Sequence, residues 1–167
     1  MSTNPATLTD QEIADLHEAL TDEHKARATY RQVIEDFGDV RPFANIVNAE
    51  QRHIDALVRM FERYGVPVPA DPWPGPPARY GSISEACADA VQAELDNAAL
   101  YNRILANTQR PDLTEVYQNL QRASRENHLP AFQRCVQRGH GGGGRGGGGG
   151  SRGRGGGHRG GSARPNP

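Results

Sequence analysis

Apolar residues recur at helical spacing in four long segments of the chain. The second segment shows the pattern most clearly, because its apolar residues lie three or four positions apart along much of its length. They are Phe43, Ile46, Val47, Leu57, Phe61 and Tyr64. No segment of any length alternates apolar and polar residues as a half-buried strand does. The pattern therefore predicts an all-α body.

Capping and stop signals set the limits of the four predicted helices. Proline at the start and glycine after the end are typical of such limits. The predicted ranges are Thr9 to Phe37 (before Gly38), Pro42 to Tyr64 (before Gly65), Ser82 to about Asn107, and Asp112 to about Arg138. Pro130 lies inside the last range and predicts a kink there, because it lacks a backbone N–H.

The connections between the helices predict how they are arranged. Residues 66–81 contain six prolines, so this segment is extended and long enough to cross the length of a bundle. Short loops join the first helix to the second and the third to the fourth. Two antiparallel hairpins joined by one long crossover have the connectivity of a ferritin-like four-helix bundle. We place this domain at residues 9–138.

Charge and glycine content separate a tail from this domain. The chain carries a net charge of −1, yet residues 139–167 contain five arginines, no acidic residue and sixteen of the 20 glycines. Residues 1–138 therefore have a net charge of −6, and residues 139–167 are predicted to be a disordered Gly/Arg-rich tail. Three Arg-Gly-Gly units predict weak binding of RNA or another polyanion. The alternative is a solubilising segment that binds nothing.

The sequence also indicates where the protein resides. The first ten residues lack the pattern of a secretory signal, and no apolar run is long enough to span a membrane. The two cysteines, Cys87 and Cys135, form no C-x-x-C motif. We therefore expect reduced thiols in a cytoplasmic protein.

Ionisable residues interrupt the apolar faces at positions suited to a metal site. Glu50 and His53 form an E-x-x-H pair in the second helix, which carboxylate proteins use to present an oxygen and a nitrogen ligand together. Glu23, Glu94 and His128 lie on the apolar faces of the other three helices. A carboxylate on a buried face is costly unless it is compensated, and a metal ion would compensate it.

Two other interpretations of these residues stay open at this stage. Each carboxylate could instead pair with an arginine, for which Arg27, Arg52 and Arg103 are candidates. His17 and His24 are expected at the surface or at the edge of a seam, and Tyr30, Tyr101 and Tyr117 in the core, where one could hydrogen-bond a ligand.

Positions along the helices test whether the candidate ligands can meet. Glu94 and His128 lie at similar heights in the second hairpin, and Cys87 and Cys135 should approach each other at one end of it. In the first hairpin, Glu23 and Glu50 are offset by about 9 Å at 1.5 Å per residue. An earlier end of the first helix would reduce that offset.

Several motifs resemble known metal-binding families. Asp22-Glu23-His24-Lys25-Ala26-Arg27-Ala28-Thr29-Tyr30 resembles the first metal-helix motif of rubrerythrins. Ala49-Glu50-Gln51-Arg52-His53, Glu94-Leu95-Asp96 and Asn127-His128-Leu129-Pro130 are similar to stretches of an uncharacterised bacterial ferritin-like domain family related to rubrerythrin. The resemblance covers about Ala14 to Val136. It implies a rubrerythrin-related bundle with an iron-type centre and, as in similar proteins, a homodimer.

The chain departs from a complete di-iron pattern in the fourth helix. Arg125 stands three residues before His128, where a carboxylate is expected, and Asn97 stands where a second carboxylate of the third helix would be. Glu126 points away from the seam, although a kink at Pro130 could turn it inward. The five remaining candidate ligands could hold one ion well or two ions incompletely. They are Glu23, Glu50, His53, Glu94 and His128.

These ligands predict iron, with manganese or zinc as alternatives. The predicted function is metal binding with ferroxidase- or peroxidase-type oxidoreductase activity, without assigned catalytic residues or substrate. The chain has no rubredoxin-type C-x-x-C pair, so its electrons must come from another donor. The alternative is a metal-free, non-enzymatic bundle whose tail binds nucleic acid or a partner.

Overall fold

The computed structural model describes residues 7–141, which form an all-helical bundle without strands. A π-helical turn (Ser124–His128) joins the last two helices, so that together they make one fourth helix of the bundle. The helices are α1 (Asp10–Phe37), α2 (Phe43–Tyr64), α3 (Ile83–Leu105), α4 (Pro111–Ala123) and α5 (Leu129–Gly141). The predicted tail lies outside the described residues from position 142 onward.

The packing of the helices confirms the predicted connectivity. α1 packs along α2, and α3 packs along both α4 and α5. Contacts of α1 with α3 and of α2 with α4 join these two hairpins. The Pro-rich segment from 66 to 82 connects the hairpins without helix. The described residues therefore form a four-helix bundle with ferritin-like connectivity. None of the described helices is long and apolar enough to cross a membrane.

The capping signals placed most helix ends correctly. The Thr9 hydroxyl accepts a hydrogen bond from the Glu12 N–H at 3.1 Å, and the Glu12 carboxylate accepts one from the Thr9 N–H at 2.9 Å. Gly65 ends α2 with a φ of 67°, in the left-handed region that glycine adopts without strain. α3 ends at Leu105, two residues before the predicted limit.

The predicted cap of the fourth helix was wrong. Helix α4 begins at Pro111, and Arg110 precedes it without a side-chain cap. The Asp112 carboxylate instead accepts a hydrogen bond from the Tyr64 hydroxyl at 2.8 Å and pairs with Arg63 at 2.9 Å. Its charge therefore ties the end of α2 to the start of α4.

The fourth helix contains a π turn where a kink was predicted. The Leu129 N–H donates to the Ser124 carbonyl five residues earlier. From Leu120 to Phe132 the buried positions recur every four residues, at 120, 124, 128 and 132. At 3.6 residues per turn, three such steps would rotate the buried face by about 120°. The π turn is wider than an α turn, so it keeps all four positions on one face of the helix. It ends two residues before Pro130.

The turn between α1 and α2 removes the offset expected between Glu23 and Glu50. Helix α1 runs to Phe37, as predicted, so an earlier end of this helix is not what removes the offset. The Phe43 ring packs against the Tyr30 ring at 5.5 Å, which places the first residue of α2 beside a residue seven positions before the end of α1. The intervening loop therefore returns about 10 Å along α1, at 1.5 Å per residue.

The core has two apolar parts. One surrounds Leu16, Leu57 and Phe61, and the other surrounds Tyr30 and Phe132. Buried ionisable side chains from all four helices lie in the level between them.

A disulfide joins Cys87 of α3 to Cys135 of α5, so the expectation of reduced thiols was wrong. Their predicted approach at one end of the second hairpin is confirmed. Disulfides are typical of oxidising compartments, and the cytoplasmic location expected from the sequence stays a prediction.

Reduction of this disulfide should lower the free energy of unfolding by about 2–4 kcal/mol, because it closes a long loop in the unfolded chain. The two cysteines are 48 positions apart. Urea denaturation of the oxidised protein, the reduced protein and Cys87→Ser/Cys135→Ser measures the difference. The reduced wild type and the double variant should agree. Equal stability of all three would contradict a structural contribution of the bond.

Candidate metal centre

Helix α2 supplies two of the candidate ligands. Glu50 and His53 are one turn apart on the face that α2 buries, and the Nδ1 atom of His53 lies 3.0 Å from Oε2 of Glu50. Glu50 is only 2% exposed. Apolar residues precede and follow the pair on the same stripe, so the packing of α2 carries both side chains into the bundle.

The five predicted ligands come together in two groups that share Glu50. The first group is Glu23, Glu50 and His53, and the second is Glu50, Glu94 and His128. Within each group, one ligand atom of every residue lies within 4.8 Å of the others. The structure thus brings together all the residues that the sequence singled out.

The two oxygens of Glu50 face different histidines. Oε2 lies 3.0 Å from Nδ1 of His53, while Oε1 lies 3.3 Å from Nδ1 of His128. Glu23 completes one side, with Oε2 at 3.1 Å from Nδ1 of His53. Glu94 completes the other, with Oε1 at 3.5 Å from Nδ1 of His128. This is the arrangement of a carboxylate able to bridge two adjacent ions.

Hydroxyl and amide groups hold the outer carboxylates in place. The Tyr30 hydroxyl donates to Glu94 at 2.9 Å, and the Tyr101 hydroxyl donates to Glu23 at 2.6 Å. The Ser124 hydroxyl also donates to Glu94, at 2.5 Å. Two of the tyrosines that were expected in the core thus hydrogen-bond to candidate ligands. Such contacts orient metal ligands and satisfy their remaining lone pairs.

The arginine candidates bind other groups. Arg27 bonds to Gln51 and Asp71, and Arg103 bonds to Glu18. Arg52 is exposed. The three carboxylates are compensated instead by histidines and by neutral hydrogen-bond donors. The interpretation of the carboxylates as ordinary arginine ion pairs is therefore not supported by these contacts.

His24 lies outside the cluster, although it is buried. It is 8% exposed, and its Nδ1 atom lies 3.4 Å from Asp71 of the crossover. It was expected at the surface or at the edge of a seam, and its burial rules out the surface position.

Mutual charge compensation decides the protonation of the cluster. Burial lowers the pKa of His53, but hydrogen bonds to Glu23 and Glu50 outweigh burial and raise that pKa to about 10. For His128, burial is likewise outweighed by Glu50 and Glu94, and the pKa rises to about 9. Burial and the charge of Glu50 raise the pKa of Glu23. At neutral pH two imidazolium protons thus occupy the place that metal cations would take.

A cavity of about 290 Å³ opens onto the candidate ligands. Its inner wall includes Glu23, Glu50 and His128, and its outer part includes the exposed side chains of Lys25 and Asp96. One water occupies about 30 Å³ in the liquid, so the cavity has room for several small molecules. It would give a small reactant access to the centre.

Sequence reasoning missed Ser124, whose hydroxyl contacts Glu94. The α-helical spacing placed Arg125 at the inward position three residues before His128. The π turn instead makes residue 124 the inward position and leaves Arg125 exposed. Glu126 is also exposed, so the turn does not bring it to the centre. The sequence did contain a signal for this turn, because Leu120, Ser124, His128 and Phe132 recur every four residues.

Asp22 and Asn97 extend the cluster beyond the predicted ligands. The Asn97 amide donates to Asp22 at 2.9 Å and to Glu23 at 3.3 Å. Burial raises the pKa of Asp22 to about 6, against the opposing hydrogen bond from Asn97. Asn97 therefore occupies the position considered for a second carboxylate and supports Glu23 with a neutral group.

Comparisons with known proteins agree with the fold. The model of an uncharacterised protein domain (DUF2202) matches residues 6–72, which contain Glu23, Glu50 and His53. A hypothetical protein from Methanococcus jannaschii is similar in structure, with a TM-score of 0.71, 24% identity, and coverage of 84% of this chain and 87% of that one. A conserved hypothetical protein from Mycobacterium tuberculosis has a TM-score of 0.66, 19% identity, and coverage of 76% and 91%.

These similarities support the bundle and the resemblance of the first hairpin to an uncharacterised domain family. None of the curated proteins matches the chain. The relation to rubrerythrin stays a prediction. The chemistry of the centre must therefore be argued from its own residues.

The stability of the metal-free protein should fall as the pH rises from 7 to 9. The pKa values of His53 and His128 are about 10 and about 9 in the folded state, against 6.5 for ordinary histidine. The folded state thus holds two protons that the unfolded state releases above pH 6.5. The free energy of unfolding should decline by at most about 2.7 kcal/mol per pH unit, which is two protons at 1.36 each.

Urea denaturation in the presence of a chelator measures this dependence. His53→Gln/His128→Gln should show a much flatter profile over the same pH range. His17→Gln, which changes a histidine outside the cluster, should retain the wild-type slope. A wild-type stability that stays constant or rises between pH 7 and 9 would contradict this account.

Proposed function

We propose that the protein binds two iron ions at this centre and is an oxidoreductase of the ferroxidase or peroxidase type. The observation that carries the proposal is the position of Glu50, whose two oxygens face two different histidines. Each ion would have two carboxylates and one imidazole, with Glu50 shared. Ligand sets of this kind suit iron and manganese, and zinc is the redox-inert alternative.

The residues around the set fit a cation centre. Three carboxylates and His128 are buried together, and the adjoining His53 side chain is 12% exposed. Metal binding would replace the imidazolium protons with stronger positive charge. Tyr30, Tyr101 and Ser124 already orient the outer carboxylates. The protein would thus spend little free energy on rearranging side chains when ions bind.

Bound iron would supply electron transfer to dioxygen or a peroxide. The side chains of this chain would position the ions, balance their charge and leave the oxidant a path to them. The cavity admits the small oxidant to the buried cluster. Glu50 would hold both ions, with Glu23 and His53 on one of them and Glu94 and His128 on the other. Buried surroundings limit the access of competing reactants.

Anaerobic loading with Fe(II), desalting and elemental analysis should give about two irons per chain, one for each ligand group. His53→Ala and His128→Ala should each retain about one, because each removes the only imidazole of one group. Glu50→Gln should weaken both positions by more than about 100-fold, since even groups that only orient a ligand contribute 10–100-fold.

Glu62→Gln is the matched control, because Glu62 is exposed on the same helix. It should bind iron as the wild type does. The loaded protein should then oxidise about two Fe(II) for each hydrogen peroxide consumed, as a two-electron acceptor requires. Circular dichroism must show the helical fold in every variant. No iron in a folded wild type would reject the proposal and leave a metal-free bundle.

RNA binding by the tail is a separate proposal, and it rests on the three Arg-Gly-Gly units in the sequence. Removal of residues 142–167 should abolish salt-sensitive binding to single-stranded RNA. With five arginines on the RNA, the slope of log affinity against log salt would be at most about −3.5. Unchanged affinity after truncation would reject this proposal. Because the cut follows the last residue of α5, the bundle serves as its own control.

A further inference from the structure

We propose that Cys87 and Cys135 are a two-electron store for the metal centre. As a dithiol, the pair would reduce the oxidised centre and become the disulfide seen in the structure. This inference rests on the proposed function, and it identifies an internal electron donor for it. A dithiol is a two-electron couple, which matches the two electrons that a peroxide accepts.

The positions of the cysteines place the disulfide near the centre along both helices of the second hairpin. Cys87 precedes Glu94 by seven residues in α3, and Cys135 follows His128 by seven residues in the fourth helix. Seven residues correspond to about 10 Å of helix. Because the two helices run antiparallel, both steps lead to the same end of the bundle. The disulfide therefore lies about two turns from one ligand of each helix.

Two aromatic residues, Tyr30 and Phe132, belong to the same buried cluster as the disulfide. The Tyr30 hydroxyl bonds to Glu94 at 2.9 Å, and the Tyr30 ring packs 5.2 Å from the Phe132 ring. Phe132 lies in the same buried cluster as Cys87 and Cys135. The buried cluster that contains the disulfide thus extends to Tyr30, whose hydroxyl bonds to a carboxylate of the centre.

The proposed step balances without a further reactant. Two S–H bonds break and one S–S bond forms, while two electrons reduce two ferric ions to ferrous ions. Hydrogen peroxide then takes these two electrons, and the two thiol protons end in water. The net reaction is one dithiol and one hydrogen peroxide giving one disulfide and two water molecules.

Burial favours the centre as the reaction partner of the pair. Cys87 is fully buried and Cys135 is only 6% exposed. Thiol–disulfide exchange requires a thiolate from solution to reach one of the sulfur atoms. The same burial protects the reduced thiols from direct attack by dissolved peroxide. A disulfide that only crosslinks α3 to α5 would instead form at a rate independent of the metal.

The test uses full-length protein that has been unfolded, reduced, refolded without oxygen and freed of reductant. One sample is loaded with Fe(II) and the other with Zn(II), and elemental analysis confirms two ions in each. Peroxide is added in steps, the reaction is quenched in acid with an alkylating agent, and mass spectrometry counts the remaining thiols. Zinc fills the same ligands but accepts no electrons.

The iron-loaded wild type should consume about two peroxides per chain and lose both thiols, since the iron pair and the dithiol each give two electrons. The zinc-loaded protein should keep its thiols over the same time. Cys87→Ser/Cys135→Ser with iron should consume about one peroxide. Phe132→Leu keeps both thiols and an apolar core, and it should slow their loss in the iron-loaded protein.

Three results would overturn the inference. If the thiols survive while Fe(II) is oxidised, the proposed function stands and the disulfide has only a structural role. Thiols lost equally fast with zinc would mean that peroxide attacks them directly. A protein that binds no iron would overturn the inference together with the proposed function. The comparison of iron with zinc needs no variant, so it stands even if the double serine variant does not fold.

Discussion

The rest of the structure depends on the mutual compensation of charge among five side chains buried in the middle of the bundle. Glu23, Glu50 and Glu94 each lose most of their contact with water, and none could stay ionised there alone. His53 and His128 lie against these carboxylates, and their pKa values rise to about 10 and about 9 because the carboxylates favour the charged imidazolium. Burying so many ionisable groups is costly for stability, and the proposed metal function would account for that cost.

Several irregular features of the fold serve to assemble this cluster. The loop after α1 returns far enough for Phe43 to pack on Tyr30, which brings Glu50 level with Glu23. The π turn puts Ser124 and His128 on one face, so that both reach Glu94. Such turns interrupt helices most often at functional sites, where they aim side chains that regular geometry would turn away. Each irregularity thus has a consequence at the centre.

The two apolar parts of the core hold the cluster between them and differ in what else they contain. One lies around Leu16 and Leu57 and contacts the centre through the Tyr101 hydroxyl. The other contains the disulfide and the rings of Tyr30 and Phe132, and it contacts the centre through the Tyr30 hydroxyl. Access of solvent and oxidant comes from the side, through the cavity between α1 and α3. Tyr30 borders both this cavity and the part of the core that contains the disulfide.

The sequence by itself determined the helical segments, their connectivity and all five candidate ligands, because periodicity, caps and the E-x-x-H spacing are local properties of the chain. The cap at Asp112 was misplaced because a tertiary contact with Tyr64 uses that carboxylate. Only the tertiary structure decided that Glu50 is shared by both ligand groups, that Ser124 rather than Arg125 faces the centre, and that the cysteines are joined. These features depend on how far a loop returns along a helix and on one extra residue in a turn. Such shifts move a side chain by several ångströms while leaving the hydrophobic pattern of the sequence nearly unchanged.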